Sequence, residues 1–203
     1  YRKIASEMGL MGGFNINSTS AEAWKIALSS MFRTQLANHP VEIGEAIKVG
    51  PESDRHIISR FMIPTGRSID RGGDPYTDGF SGYREVTTEQ IDELAEAIVK
   101  EVKERGPFRS LAEFVNRRRY GQASDKKALQ GVIQAALESP DVSINDIYDE
   151  EFFDKDDFPN TVFTNPDAVK GHKARGMPGY VSQADILTAL APLIVARGDT
   201  FTI

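Results

Sequence analysis

The sequence predicts a mainly α fold with a small β component, and three observations predict it. Residues 86–119 have the pattern of two amphipathic helices joined by a Gly-Pro turn. Residues 18–37 and 124–139 repeat the same helical spacing of apolar side chains. Only two short stretches, 56–63 and 199–203, are rich in β-branched and aromatic residues, as strands are. The helices are therefore expected to form the core, and the strands a minor sheet.

The first helix of the central hairpin is predicted from one apolar stripe. Its members recur at helical spacing and face away from a surface of Asp, Glu and Lys; they are Ile91, Leu94, Ala95, Ile98, Val99 and Val102. Thr87 and Gln90 have the spacing of a capping box at the start of the helix. Gly106 is expected to be the left-handed residue that ends it, and Pro107 prevents its continuation.

A second helix, 111–118, is predicted directly after the turn. Ser110 and Glu113 form another capping-box pair, and an apolar face follows with Phe114 as its largest member. Phe108, in the turn, is expected to fill the corner between this helix, the 88–105 helix and the helix that contains Trp24. The Arg117–Arg119 cluster suits the negative end of the helix dipole.

The other elements are weaker predictions. Thr19 and Glu22 predict the start of a helix that runs to about Leu36, with Trp24 in the core. Strands 56–63 and 199–203 are expected to pair with each other. The Gly/Asp/Ser-rich loop 66–82, with Asp70, Asp74 and Asp78, is expected to be a solvated surface loop.

The predicted organisation is one fragment of a larger protein. A helical subdomain comprises about 14–37 plus 84–191, including a capped helix at 182–191. An irregular and β-rich insertion covers about 38–83, and 199–203 is a terminal strand. The chain begins with Tyr1 rather than Met, which predicts a fragment or a processed piece that need not retain its targeting information.

Composition limits the classes of function. The chain has 203 residues, a net charge of −6 and no cysteine. Absence of cysteine excludes disulfides and thiolate sites, and the negative charge argues against a nucleic-acid partner. No apolar run reaches the length of about 20 residues that spans a bilayer.

The residue types that carry catalysis are present without a recognisable pattern. His39, His56 and His172 are far apart and have no partner at the spacing of a zinc site. There is no phosphate-binding loop, dinucleotide fingerprint or nucleophile elbow. We therefore expect that the protein is not an enzyme and has no small-molecule substrate.

Three segments together resemble a known family. The lead-in Asn15-Ile16-Asn17-Ser18-Thr19-Ser20 and the step Arg105-Gly106-Pro107-Phe108-Arg109-Ser110-Leu111 resemble helix-hairpin-helix modules and the K-type minor pseudopilins of type II secretion. The segment 193–201 is similar to the return of such pseudopilins from helices to a final sheet. More closely, GFNINSTSAEAWK, LAEAIVKEVKERGPFRSLAEFVNRR and QADILTALAPLIVARGDTFTI, in this order, resemble the C-terminal region of the Verru_Chthon cassette protein A family, over about two thirds of their residues.

This resemblance implies helical hairpins of the helix-hairpin-helix or SAM-like type. It also implies a structural subunit of a type IV pilus or type II secretion-like assembly, exported to the cell envelope. The expected partners are other pilin-like subunits. Contact with the membrane is expected only through a helix upstream of Tyr1.

Two further expectations follow from the same resemblance. The alternative function is that of a helix-hairpin-helix module that binds nucleic acid, against which the acidic outer face of 88–105 and Pro107 argue. K-type pseudopilins bind calcium in their helical domain, which directs attention to the acidic stretch 147–157. Its candidate ligands are Asp149, Asp154, Asp156 and Asp157, with Glu150 beside them. The stretch lacks the Gly and the terminal Glu of an EF-hand, so a loop with solvated acids remains open.

Overall fold

The computed structural model describes residues 13–33, 35–38, 47–50, 54–72, 78–115, 130–148 and 177–196. The helices in these ranges are α1 Ala21–Phe32, α2 Thr88–Arg105, α3 Leu111–Val115, α4 Val132–Leu137 and α5 Gln183–Leu190. The strands are β1 Phe14–Asn15, β2 Leu36–Asn38, β3 Ile47–Val49, β4 Arg55–Ser59, β5 Tyr83–Thr87 and β6 Ile194–Val195. The fold is rich in helix with a small strand component, which confirms the predicted class.

The capping pattern at the start of α2 is confirmed. The Thr87 hydroxyl accepts a hydrogen bond from the Gln90 backbone N–H at 3.2 Å, and the Gln90 side chain accepts one from the Thr87 N–H at 2.9 Å. These two bonds satisfy backbone donors that the first helical turn leaves without partners. The stripe of α2 is buried as predicted.

The prediction for Gly106 is wrong in its mechanism. Its φ is −73° and its ψ is 177°, which is extended backbone and not the left-handed region. The position favours glycine for another reason, because a Cβ would lie 2.6 Å from the Val102 carbonyl oxygen. That oxygen also accepts the Gly106 N–H at 2.8 Å, so the chain turns tightly against the last turn of α2.

The first helix is shorter than predicted and is capped one residue later. Ser20, not Thr19, accepts a hydrogen bond from the Ala23 N–H, at 3.2 Å. The helix ends at Phe32 instead of continuing to Leu36, and Leu36–Asn38 pairs antiparallel with Ile47–Val49. The helical spacing of apolar residues therefore continues as far as Leu36, although the backbone there pairs with a neighbouring strand.

The strand prediction 56–63 is also partly wrong. Strand β4 ends at Ser59, and its antiparallel partner is β5, with Ile57 opposite Glu85. Residues 199–203, the predicted partner, lie outside the described residues. Strand β5 was not predicted, because it has Arg84 and Glu85 near its centre and therefore lacks the run of apolar residues that marks a strand. The third sheet is parallel and joins β1 to β6.

One main core connects these elements. Stripe residues of α1, α2, α4 and α5 pack together with Ile58 and Val86 from the β4–β5 hairpin. Trp24 is fully buried and Phe108 is 7% exposed, which confirms both core predictions. Of the predicted 124–139 helix, the described part contains α4, and residues 116–129 lie outside the described ranges. Within the described ranges, no helix is both long and apolar enough to cross a bilayer.

Candidate functional site

Asn17 lies at the point where three distant segments meet, which we call the Asn17 corner. Its side-chain Nδ2 donates to the carbonyl oxygens of Phe108 at 2.9 Å and Ala196 at 3.0 Å. Its Oδ1 accepts the Phe108 N–H at 2.6 Å. An amide side chain offers two donors and one oxygen acceptor, so this single residue closes bonds to the α2–α3 turn and to the end of β6.

The lead-in before Asn17 holds this side chain in place. The Asn15 side-chain oxygen accepts the Asn17 backbone N–H at 2.9 Å, which is an Asx turn. On either side of it, the Phe14 N–H donates to Leu193 O at 2.6 Å and the Ile16 N–H to Val195 O at 3.0 Å. The two asparagines of the Asn-x-Asn pattern therefore have different roles: Asn15 stabilises the turn, and Asn17 joins the three segments.

Aromatic side chains form the apolar floor of the Asn17 corner. Trp24 stacks on Phe114 at a centroid distance of 6.0 Å and makes an edge contact with Phe14 at 4.7 Å. Phe108 meets Phe114 edge-on at 5.5 Å. The indole N–H of Trp24 donates to the Ser18 carbonyl oxygen at 2.9 Å, so its polar atom is satisfied although the ring is buried.

The backbone N–H groups of the α2–α3 turn are used within the chain. Gly106 donates to Val102 O, and Phe108 donates to Asn17 Oδ1. Pro107 has no N–H, and the Arg109 N–H donates to the Glu113 carboxylate at 2.7 Å. A turn that binds a phosphate needs N–H groups directed outward. In this turn the N–H groups of Gly106, Phe108 and Arg109 already bond within the chain, and a carboxylate lies beside its tip.

A second polar site joins the β4–β5 hairpin to the segments at 144–148 and 177–181. Arg84 is 2% exposed and forms a two-bond ion pair with Asp70, at 2.7 and 2.8 Å. Its guanidinium also donates to the carbonyl oxygens of Ile144 and Gly179. Burial raises the pKa of Asp70, but the bonds from Arg84 more than offset this, and the pKa lies below its ordinary value.

The position of Asp70 corrects a prediction. Loop 66–82 was expected to be solvated, yet Ser68 and Ile69 are buried at a short 3-10 turn, Ile69–Arg71, and the Asp70 side chain is only 8% exposed. The turn brings Asp70 to Arg84 and brings Arg71 to Glu85, 2.5 Å away. Local composition does not reveal this, because each carboxylate or guanidinium finds its partner 14 residues away.

A groove of about 450 Å³ lies between the hairpin, α4 and α5. Arg60 crosses it to reach Asp185, with bonds of 2.8 and 2.9 Å, and it also donates to Tyr180 O. Burial raises the pKa of Asp185, but the hydrogen bonds from Arg60 and Ser182 lower it by more, so the pKa lies below its ordinary value. These polar groups bond to one another, so the groove has a satisfied polar wall rather than a set of groups directed at a ligand.

His56 is a histidine buried on β4. It is 3% exposed on β4, and its Nδ1 has no hydrogen-bond partner among the described residues. Desolvation and the charge of Arg33 lower its pKa, although Asp92 acts in the opposite direction. Of the other two histidines, His39 and His172 lie outside the described residues.

The predicted metal and nucleic-acid residues are not tested by this geometry. Asp149, Asp154, Asp156 and Asp157 lie outside the described residues, as do Glu150 and Arg117–Arg119. Among the residues that the structure does describe, no three His, Asp or Glu side chains come together as a metal site. Asn17 appeared in the sequence only as part of an extended lead-in, and its bonding role became visible in the fold.

Comparison of the chain with protein-family models, curated proteins and solved structures gives no match. Function must therefore be argued from the resemblance of the three segments and from the contacts described above.

Proposed function

We propose that the chain is a structural subunit of the minor pilin or pseudopilin kind, which acts through contacts with other pilin-like subunits in a type IV pilus or type II secretion-like assembly. One observation carries the proposal: the three segments on which the resemblance depends are far apart in sequence and meet at the Asn17 corner. The partners of the Asn17 side chain are 91 and 179 residues away. A chance likeness of three short peptides would not require them to share hydrogen bonds.

The corner joins an entry strand, a helical hairpin and a return strand. Asn17 and the aromatic floor connect these parts into one block through hydrogen bonds and ring contacts. Such a block suits a subunit that transmits contacts, because rigid elements position a surface more precisely than loops do. Export to the cell envelope and a membrane helix upstream of Tyr1 belong to this proposal.

The experiment is photo-crosslinking of the full-length protein in its own cells. A photoreactive residue replaces Leu111 or Ala112, which are exposed on α3 beside the corner, or Glu89 at the far end of α2 as the positional control. We expect crosslinks from the α3 positions to prepilin-type proteins encoded beside it, identified by mass spectrometry. Absence of any prepilin-type protein from the crosslinked products would refute the proposal.

The alternative, nucleic-acid binding, is weakened because the N–H groups of Gly106, Phe108 and Arg109 in the α2–α3 turn already bond within the chain. Fluorescence anisotropy with duplex DNA is expected to detect only weak binding that salt removes. Submicromolar binding at physiological salt that Arg117→Glu and Arg118→Glu abolish would support the alternative instead.

Calcium binding at Asp149, Asp154, Asp156 and Asp157 remains a prediction from the resemblance. Calorimetric titration of the chelator-treated protein with Ca²⁺ tests it, and Asp154→Asn is expected to reduce the heat. Absence of heat at millimolar calcium would leave the stretch as a solvated loop.

A further inference from the structure

The end of the β4–β5 hairpin exposes an apolar surface that the core does not use. We call Phe61, Met62, Ile63 and Phe80 the hairpin tip. Met62 is 92% exposed, and the other three are between 44% and 58% exposed. Exposed apolar residues in an unbroken run are uncommon on a soluble surface, where apolar side chains are usually scattered singly.

The hairpin tip is held in shape by backbone and side-chain bonds. The Arg60 N–H donates to Gly82 O at 2.9 Å, which continues the hairpin beyond its last paired residues. The Ser59 hydroxyl donates to the Phe61 carbonyl oxygen at 2.6 Å. The Phe61 ring lies over Gly82, where a Cβ would be 2.1 Å from the ring, and the positive φ of 79° there also favours glycine. A surface ordered in advance loses less conformational entropy on binding.

The absence of charge on the hairpin tip is compatible with a second copy as its partner. Residues 61–66 and 79–82 contain no ionisable side chain, and the adjacent Arg60 is neutralised by Asp185. A symmetric dimer brings identical surfaces together, and each copy here carries a net charge of −6. Two copies can therefore approach at low electrostatic cost where neither presents a charge.

Area points in the same direction. With a full exposure of about 200 Å² for each large apolar residue, the exposed fractions of these four residues correspond to about 500 Å², which alone is small for an interface. A symmetric contact counts this area twice and reaches about 1,000 Å² in total, the lower bound for a specific interface.

We propose that the hairpin tip is a self-association surface, on which the same tip of a second copy of this chain docks to form a weak symmetric dimer. The association is expected to be weak, with a Kd in the micromolar range or above, because the area is at the lower bound for a specific interface. Self-association at this surface does not depend on the chain being a pilin-like subunit. A monomer would overturn it and leave the crosslinking result untouched.

The test is sedimentation velocity over a concentration series that extends from the micromolar to the millimolar range. We expect the wild-type mass to rise from one chain towards two, and the association to persist at high salt because the contact is apolar. Met62→Glu is expected to remain monomeric, with association weakened at least tenfold. Ile26→Glu is the matched control, because Ile26 is also exposed, at 70%, but lies on α1. It is expected to dimerise like the wild type.

Three results would overturn the inference. The first is a wild-type protein that stays monomeric at the highest concentration. The second is equal weakening by Ile26→Glu and Met62→Glu, which would assign association to general surface apolarity or charge. The third is a protein that is monomeric in solution but binds phosphatidylcholine–phosphatidylglycerol vesicles through Met62, which would assign the tip to a membrane surface.

Since Met62 is nearly fully exposed, loss of folding is not expected in Met62→Glu, and its urea midpoint checks this.

Discussion

Replacing Asn17 by Ala tests the Asn17 corner directly. The substitution removes three hydrogen bonds and leaves the Phe108 N–H, the Phe108 carbonyl and the Ala196 carbonyl without this partner. An orphaned buried polar group costs about 1–3 kcal/mol, and the corner is half-buried, so we take the lower end and expect a total of about 3 kcal/mol. For a chain of this size that loss lowers Tm by about 6–12 °C.

The matched control is Asn15→Ala. Asn15 has the same side chain two residues earlier and is exposed, and its oxygen accepts one hydrogen bond, from the Asn17 N–H. We expect a loss of about 0.5–1 kcal/mol, the value of one ordinary hydrogen bond.

A third variant, Asn17→Asp, separates the donor from the acceptor. It keeps an oxygen for the Phe108 N–H but directs a carboxylate at two carbonyl oxygens. At neutral pH it should destabilise at least as much as Asn17→Ala. Because the fold favours the neutral acid, the pKa of the new carboxyl is raised, and the penalty should fall as pH decreases through that pKa.

The measurement is urea unfolding of all three variants, with the m-value required to stay constant. If Asn17→Ala and Asn15→Ala lost the same free energy within about 0.5 kcal/mol, the clamping role assigned to Asn17 would be refuted.

Four other variants test the core, the buried charges and the buried histidine. Phe108→Ala is expected to cost about 3–5 kcal/mol, as truncation of a buried Phe does, and an unchanged Tm would contradict the packing described here. Asp70→Asn leaves the buried Arg84 without its countercharge and is expected to cost about 3–5 kcal/mol; Asp185→Asn should cost less in the same unfolding experiment, because its partner Arg60 is 28% exposed. His56 has a lowered pKa, so its contribution is complete above its unfolded pKa of about 6.5 and declines as pH falls towards the folded pKa. The wild type should therefore lose more stability between pH 7.5 and pH 5 than His56→Gln, and equal losses in the two urea midpoints would contradict a buried neutral histidine.

The features predicted correctly from the sequence are those with local causes. The stripe of α2 and the Thr87–Gln90 capping box depend on residues three or four positions apart, and both were recognisable before any fold was known. The burial of Phe108 was predictable because it is a large apolar residue in a short turn between two amphipathic helices, where it packs against both apolar faces. Each of these predictions depends on a period or a spacing.

The features that the sequence did not reveal depend on partners far along the chain. Asp70 looked like part of a solvated loop, because Arg84, which neutralises it, lies beyond a stretch rich in Gly and Asp. Strand β5 was missed because its central residues, Arg84 and Glu85, are charged, and their partners also lie 14 residues away. The role of Asn17 needed residues 108 and 196 in place before its amide had anything to bond. Gly106 was expected as a left-handed residue, and its requirement proved to be steric instead.

The parallel pairing of β1 with β6 has a mechanical consequence. The chain approaches β1 from residue 13 and leaves β6 at residue 196, and the two strands run in the same direction. Tension applied between these two points pulls the strands past each other along their length, which loads their hydrogen bonds in shear. The bonds from Phe14 and Ile16, together with the one from the Asn17 side chain to Ala196, would then have to break together instead of opening one after another. The Asn17 corner thus adds resistance to tension applied between residues 13 and 196, because its hydrogen bond to Ala196 is loaded together with those of the strands.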